Sequence, residues 1–206
     1  LYELRKSDPP LISGAEMMQV LVACMSLPVD ESSALIKSVT EEVKARPAPT
    51  GPKGPRVMII GDQIDGLGLI EAIEGSGAKL VMDDLSLGSK MYWNDVDVTP
   101  DPIQGIAERY LRKLKLPTTY VGDGDTYQEN LEARFGHMTR YIKDFNVNGA
   151  ILFIYKYCDP YGFDVAPMKS FIESSGTPVL YIEDEYSVSS LARVKTRIEA
   201  FLEMIA

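Results

Sequence analysis

The sequence predicts an α/β fold built on a four-stranded parallel sheet. Four short segments are apolar almost without interruption, as is typical of strands buried on both faces; they are RVMIIG (56–61), KLVMDDL (79–85), GAILFIY (149–155) and PVLYIEDEY (178–186). The intervening stretches carry apolar residues at helical spacing. This alternation of strand and helix predicts βαβ units, whose consecutive strands run parallel.

Amphipathic stretches supply the predicted helices that cover the sheet. In the last of them, Ile198, Phe201, Leu202 and Ile205 are expected to face the core. The five stretches are LGLIEAIEGSG (67–77), PDPIQGIAERYLRKL (100–114), TYQENLEARFGHMTRYIKDF (126–145), DVAPMKSFIESSG (164–176) and SVSSLARVKTRIEAFLEMI (187–205). The segment LPTTYVGDGD (116–125) joins the second to the third.

Two further helices are predicted ahead of the sheet. SGAEMMQVLVACMSL (13–27) begins at Ser13, a residue type that caps helix N-termini, and DESSALIKSVTEEVKA (30–45) repeats its apolar spacing. The prolines and glycines of RPAPTGPKGP (46–55) then end the helical pattern. We therefore expect a helical pair with a linker over residues 1–50 and an α/β domain over residues 51–206.

Right-handed crossovers limit how four parallel strands can be ordered. The simplest arrangement is the flavodoxin-like order 2-1-3-4, a three-layer domain whose ligand crevice lies between strands 1 and 3. Those strands lead into GDQIDGLG (61–68) and YKYCDPYG (155–162). The second of these loops, which contains Cys158, is therefore a candidate ligand loop.

The composition excludes several classes of function. The 206 residues include 30 acidic and 21 basic residues, a formal charge of −9, whereas nucleic-acid binding needs a concentrated basic surface. No apolar run approaches the roughly 20 residues that span a bilayer, and the first residues lack the apolar core of a signal peptide. We expect no nucleic-acid or membrane partner and a cytoplasmic location. Because the chain does not begin with Met, we also expect it to start inside a longer protein.

The two cysteines, Cys24 and Cys158, lie too far apart in sequence to suggest a disulfide framework. Cys24 falls on an apolar helical face and is expected in the core. Cys158 can be a packed small hydrophobe, a metal-cluster ligand or a nucleophile. A nucleophile would normally need a base, and the single histidine, His137, has no evident connection to it.

Two other patterns favour structural roles. GDQIDGLGL resembles a phosphate-binding turn, but it matches neither the dinucleotide nor the Walker motif, and Asp62 and Asp65 would repel phosphate. Asp83 and Asp84, with Asp62, resemble the acidic pocket of phosphoacceptor receiver domains, yet the lysine expected after a late strand is not in its place. Arg193 and Arg197 lie one turn apart on the last predicted helix and can reach Glu185 or a ligand carboxylate, but pairing on the helix surface is favoured.

Three long segments carry a resemblance to a known family: RVMIIGDQIDGLGLIEAIEGSGAKLVMDDL (56–85), GAILFIYKYCDPYGFD (149–164) and IESSGTPVLYIEDEYSVSSLARVKTRIEAFLEMI (172–205). Together they resemble the benzoyl-CoA reductase and 2-hydroxyacyl-CoA dehydratase family. The similarity runs from ELRKSDPPLISGAE (3–16) onward, and its most specific elements are CDPYGFD (158–164) and TRIEAFLEM (196–204). The chain resembles the C-terminal half of a catalytic subunit. The stretches around Cys158 and YIEDEYS (181–187) resemble the aromatic-ring reductase branch slightly more.

The resemblance implies a chemistry for Cys158. Each catalytic subunit of that family has two flavodoxin-like domains, and three cysteines hold a four-iron four-sulfur cluster between them; the last of the three matches Cys158. Cys24 matches neither of the other two, which belong to the preceding domain. The implied partners are a second homologous subunit, an acyl-CoA substrate and an ATP-hydrolysing iron–sulfur activator, which delivers the electron that converts the thioester to a ketyl radical.

A second class of function stays open on the residues alone. The chain can be a non-catalytic α/β scaffold or subunit-interface module in which Cys158 is structural. No substrate-contacting residue is predicted from the sequence.

Overall fold

The structure is a computed structural model that describes residues 1–47, 49–64, 66–114, 125–185 and 191–206. Its strands are β1 (Arg56–Gly61), β2 (Lys79–Leu85), β3 (Gly149–Tyr155) and β4 (Val179–Asp184). Its helices are α1 (Gly14–Ser26), α2 (Val29–Ala45), α3 (Leu67–Gly75), α4 (Ser89–Tyr92), α5 (Pro102–Glu108), α6 (Tyr127–Asp144), α7 (Asp159–Ser174) and α8 (Leu191–Ile205). A short 3-10 helix (Tyr2–Arg5) precedes α1, and a π-helical turn (Arg109–Lys113) extends α5.

The described strands form one parallel sheet in the order β2-β1-β3-β4. This order confirms the predicted flavodoxin-like topology. In the register of the central pair, Ile60 of β1 lies opposite Leu152 of β3, and Gly61 lies opposite Phe153. The two central strands therefore end side by side, where the topology places a ligand crevice.

Alternating side chains of the sheet enter two apolar layers, because successive residues of a strand point to opposite faces. Val57 and Ile59 of β1 pack in one cluster with α3 and α8. Met58 and Ile60 pack in the other cluster with α6 and α7. The sheet is thus covered on both faces, which explains its uninterrupted apolar strands.

Helix caps account for several helix starts. The Ser13 side chain accepts a hydrogen bond from the Glu16 N–H, and the Glu16 carboxylate accepts one from the Ser13 N–H, which completes a capping box at α1. Thr126 and Glu129 form the same capping box at α6. Helix α7 begins five residues earlier than the sequence predicts, because Pro160 is tolerated in the first turn.

The predicted helical pair is present, and its first helix belongs to the main core. Met18 of α1 packs in the same cluster as α3 and α8, while α2 buries only Val43. The division at residue 51 stays a prediction. Residues 115–124 and 186–190, which include most of LPTTYVGDGD and the start of the last predicted helix, lie outside the described residues.

None of the helices in the described ranges has the length and apolar character needed to cross a bilayer.

Candidate functional site at the carboxyl edge of the sheet

Cys158 lies immediately beyond the carboxyl end of β3. Tyr157, with a φ of 69°, adopts the left-handed conformation and turns the chain, and the Cys158 N–H donates to the Tyr155 carbonyl at 3.3 Å. The Cys158 carbonyl then accepts the Gly162 N–H at 2.8 Å, so Cys158 is the N-cap of α7. The thiol thereby lies at the carboxyl edge of the sheet, where the topology predicts a ligand crevice between β1 and β3.

At the end of β1, Gly61 approaches the backbone of β3 without space for a side chain. Gly61 has a φ of 156°, and a Cβ added there would lie 1.9 Å from the carbonyl oxygen of Phe153. A side chain at this position would therefore force the strands apart. The close approach therefore requires glycine here. The residue that follows, Asp62, is hydrogen-bonded to the Cys158 thiol.

The Cys158 thiol is half-buried and lies among acidic groups. Burial raises the pKa of the thiol, and the hydrogen bond to the Asp62 carboxylate and the charge of Asp159 raise it further, while the Tyr161 backbone N–H at the sulfur lowers it. The free thiol is thus predominantly protonated at neutral pH. This environment disfavours a nucleophilic role, which requires a stabilised thiolate.

Two large aromatic residues on either side of Cys158 in the sequence are exposed. Tyr157 is 92% exposed and Phe163 is 83% exposed. We call these two side chains the aromatic rim.

Beyond β2, the second acidic residue of KLVMDDL is the centre of a buried ionic cluster. Asp84 accepts from the Lys90 ammonium and lies 3.1 Å from Nε2 of His137. Burial alone would raise the pKa of Asp84, but the charges and hydrogen bonds of Lys90 and His137 outweigh it and lower the pKa to about 2. Burial lowers the Lys90 pKa, yet Asp84 more than offsets this and the net shift is upward. Both groups of the ion pair stay charged at neutral pH.

Asp83, the neighbour of Asp84, has a structural role. Its carboxylate accepts from the Tyr2 hydroxyl at 2.8 Å, from Arg5 at 3.5 Å and from the Ser89 N–H at 2.7 Å. The contacts join the N-terminal 3-10 helix to the start of α4. The two adjacent aspartates therefore do not form the open acidic pocket of a receiver domain.

The other residues singled out from the sequence lie apart from Cys158. Cys24 is buried in α1, as expected, with its sulfur 3.9 Å from the Ser32 carbonyl. His137 contacts Asp84 and not Cys158, which agrees with the weak case for a Cys–His pair. Asp65 lies outside the described residues.

The two arginines of α8 bond to β4 and not to their own helix. Arg193 donates to Asp184 at 2.7 Å, and Arg197 donates to the Tyr181 carbonyl at 2.7 Å. The expectation of helix-surface pairs was wrong, because the end of a neighbouring parallel strand offers acceptors within reach. Asp184, the acceptor of Arg193, is itself buried at the end of β4.

Sequence reasoning missed Lys90 and Tyr161 as partners. Lys90 is fully buried against Asp84, and its ammonium lies 5.7 Å from the centre of the Tyr161 ring. The available signal was the Asp-Asp pair at the end of a buried strand, since buried carboxylates require a compensating charge. Nothing in the local spacing identifies which lysine supplies it.

Cys158 fits the role of a cluster ligand only as one member of a larger set. An N–H donor at the sulfur, here from Tyr161, is a typical second-sphere contact of a ligating thiolate. Among the described residues, no three His, Cys, Asp or Glu side chains are grouped so that they could hold a metal ion. Any cluster at Cys158 therefore needs ligands from elsewhere.

The fold and this edge define the chain as a flavodoxin-like α/β protein with a cysteine at the carboxyl edge of its parallel sheet. Residues 1–205 match the model of one protein family, described as 2-hydroxyglutaryl-CoA dehydratase, D-component. The chain belongs to this family, in agreement with the resemblance seen in its sequence.

Curated relatives have names of the same kind. The (R)-phenyllactyl-CoA dehydratase beta subunit of Clostridium sporogenes is 24% identical, over 98% of this chain and 51% of that protein. The (R)-2-hydroxyglutaryl-CoA dehydratase subunit beta of Acidaminococcus fermentans is 22% identical, over 98% of this chain and 52% of that protein. A benzoyl-CoA reductase subunit of Thauera aromatica is 25% identical, over 78% of this chain and 40% of that protein. The chain thus spans about half the length of the curated relatives it matches.

Proposed function

We propose that this chain is part of a catalytic subunit of an acyl-CoA dehydratase or reductase, with Cys158 as one ligand of a four-iron four-sulfur cluster. The observation that carries the proposal is the place of the thiol, at the carboxyl end of β3 beside the close approach of β1 and β3. Parallel α/β sheets bind their ligands at this position. Family membership supports the same assignment.

The remaining cluster ligands would come from protein outside this chain. The aromatic rim of Tyr157 and Phe163 supports this idea, because a second domain covering both side chains would also exclude water from the crevice. Exclusion of water matters because solvent exposure and hydrogen bonds to sulfur set the potential of a cluster.

Within such a site the residues of this chain have separate tasks. The α7 N-terminus would hold the Cys158 sulfur through the Tyr161 N–H. Metal binding would release the thiol proton to solvent, so Asp62 would lose the hydrogen bond that it accepts from the thiol and would then require a new partner or solvent. A bound cluster would supply a single electron to the thioester carbonyl of an acyl-CoA.

The proposed partners follow from the same assignment. They are a second, homologous catalytic subunit, the acyl-CoA substrate and an ATP-hydrolysing iron–sulfur activator that provides the electron. The relatives named as dehydratase subunits support dehydration, and the one named as a benzoyl-CoA reductase subunit supports ring reduction.

The test is the anaerobic iron and acid-labile sulfide content of the complete subunit, reconstituted with its partner subunit. Cys158→Ser should lower both contents severely and abolish activity, because serine is a poor cluster ligand. The fold should persist, because Cys158 is half-buried and belongs to neither of the two hydrophobic core clusters.

Cys24→Ser is the matched control, because it removes the other cysteine from a buried helical face. This variant should lose some stability and keep its iron. Full iron retention in Cys158→Ser, or equal loss in both variants, would contradict the assignment. Absence of iron from the unmodified protein after reconstitution would favour the scaffold alternative, which the hydrogen bond between Cys158 and Asp62 also supports.

A further inference from the structure

A second polar cavity lies beyond the end of β2, between α4, the segment that follows α4, and α6. Its volume is about 180 Å³, and its lining includes Asp84, Lys90, Trp93, Lys113, His137 and Arg140. The cavity belongs to the buried ionic cluster of Asp84 and not to the Cys158 crevice. Neither its residues nor its chemistry enter the function proposed above.

The charge of the lining is positive in a chain whose formal charge is −9. Lys90, Lys113 and Arg140 supply three cations, and Asp84 is the carboxylate among the lining residues. Asp84 is already bonded to Lys90 and His137, and Lys113 pairs with Asp97 outside the lining. The charge left for a ligand is therefore that of Arg140.

Arg140 is the cation most available at this cavity. Lys113 already bonds the Asp97 carboxylate, and Lys90 is held by Asp84. Within the described ranges, the Arg140 guanidinium makes no hydrogen bond or ion pair, and the side chain is exposed at the cavity. A planar guanidinium with free donors is well suited to an oxyanion.

Side-chain contacts hold the wall of the cavity in place. The Arg109 side chain donates to the carbonyls of Met91 and Asn94 and so fixes the segment after α4. The Trp93 ring packs edge-on against Tyr141, with ring centres 4.6 Å apart. These contacts favour a cavity that is formed before a ligand binds, which lowers the entropic cost of binding.

One buried polar atom has no partner in the described part of the chain. His137 is 9% exposed; its Nε2 faces Asp84, whereas its Nδ1 is buried without a hydrogen bond. Native proteins rarely leave buried polar atoms unpaired. A residue with such an atom in the lining of a cationic cavity is consistent with a bound ligand or with ligand-associated water there.

We propose that this cavity binds a phosphate group through Arg140, with Lys113 and Lys90 contributing positive charge. Phosphate offers several acceptor oxygens and up to two negative charges. It therefore suits a site with a guanidinium and two ammonium groups better than a ligand with a single carboxylate does. The phosphate is either free or carried by a larger molecule, for example the coenzyme A portion of an acyl-CoA. Only the second source rests on the proposed function.

The structure supplies its own reporter for the test. Trp93 is the single tryptophan of the chain and lines the cavity. Inorganic phosphate is titrated into the protein at constant ionic strength, held with potassium chloride, and fluorescence is excited at a wavelength selective for tryptophan. We expect a saturable change in Trp93 fluorescence.

Matched variants identify the cation responsible. Arg140→Gln should weaken phosphate binding on the order of tenfold or more, because it removes a charged hydrogen bond, and Arg140→Lys should restore part of the affinity. Lys143→Gln removes an exposed charge from the same helix outside the cavity lining and should leave binding unchanged. Circular dichroism confirms that each variant is folded.

Three results would overturn the inference: no saturable change, the same change with chloride alone, or equal weakening in the Arg140→Gln and Lys143→Gln variants.

Competition by coenzyme A separates the two sources of the phosphate group. Displacement of phosphate by coenzyme A supports the thioester as carrier, whereas binding of phosphate without such competition supports the free ion. The iron measurement on Cys158→Ser is independent of this titration, so either proposal can fail alone.

Discussion

At the scale of single residues, Asp84 shows how a buried charge is tolerated at the edge of this sheet. Isolated buried carboxylates are costly to desolvate, and an ion pair repays that cost only with good geometry and further hydrogen bonds. Asp84 meets both conditions, since Lys90 bonds its carboxylate and its backbone carbonyl, and His137 bonds the second oxygen. The cluster is therefore strongly coupled, and the loss of one member leaves another charge uncompensated.

Asp84→Asn should lower the free energy of unfolding by about 3 kcal/mol at pH 7, because the buried Lys90 ammonium loses its counter-charge. The folded-state pKa of Asp84, about 2, lies below its ordinary value of 3.8. The stabilisation is thus complete above about pH 4 and is lost as the pH falls through 2. Urea unfolding at pH 7, 5 and 3 should show that the difference in unfolding free energy between the wild type and Asp84→Asn is about 1 kcal/mol smaller at pH 3 than at pH 7.

Asp164 provides a control with the opposite sign. Burial raises the pKa of Asp164, and its pairing with Arg134 offsets this only in part. The folded state therefore binds this proton more tightly than the unfolded state. The unfolding free energy of the wild type should accordingly rise relative to that of Asp164→Asn as the pH falls. Parallel behaviour of the two variants would contradict the account of Asp84.

At the scale of elements, the junction between β1 and β3 sets the shape of the Cys158 crevice. Gly61→Ala should cost at least about 2 kcal/mol of unfolding free energy, because the new methyl group would meet the Phe153 carbonyl oxygen and Ala tolerates the positive φ poorly. Gly75→Ala is the matched control, since a Cβ there has open space and the residue ends an α-helix. Gly75→Ala should change the free energy of unfolding by less than about 1 kcal/mol, and we expect an increase. Similar urea midpoints for the two variants would show that the close approach does not constrain the strands.

At the scale of the whole molecule, the sheet belongs to both apolar layers and should unite them in one cooperative unit. Ile59 is fully buried in the α3–α8 layer, whereas Trp93 packs on Tyr141 of the α6–α7 layer. Ile59→Ala should lower stability by about 2–5 kcal/mol. Because unfolding is cooperative, the transitions followed by Trp93 fluorescence and by far-ultraviolet circular dichroism should shift together.

Met204→Ala, a substitution on the exposed face of α8, is the control for this experiment. It should change stability by less than about 0.5 kcal/mol. A Trp93 transition that stayed in place in Ile59→Ala would show that the layers unfold separately.

Much of this architecture could be predicted because local pattern and general topology rules were sufficient. The strand RVMIIG predicted β1 with its observed bounds, and Ser13 and Thr126 lie where the helix patterns begin. The order of the strands followed from the handedness of their crossovers, and that order placed Cys158 beside the central crevice. These features depend on periodicity, capping and chirality, which act over short stretches of chain or apply to all such sheets.

The contacts that give the two sites their chemistry depend on tertiary structure. Asp84 and His137 are 53 positions apart, and they meet because α6 packs across the end of β2. The hydrogen bond from Cys158 to Asp62 and the cationic lining that ends at Arg140 likewise join separate segments. No local pattern specifies such pairings, because they depend on how helices pack on the sheet. The sequence thus determined the parallel fold and the place of Cys158, whereas folding alone decided which charges became neighbours.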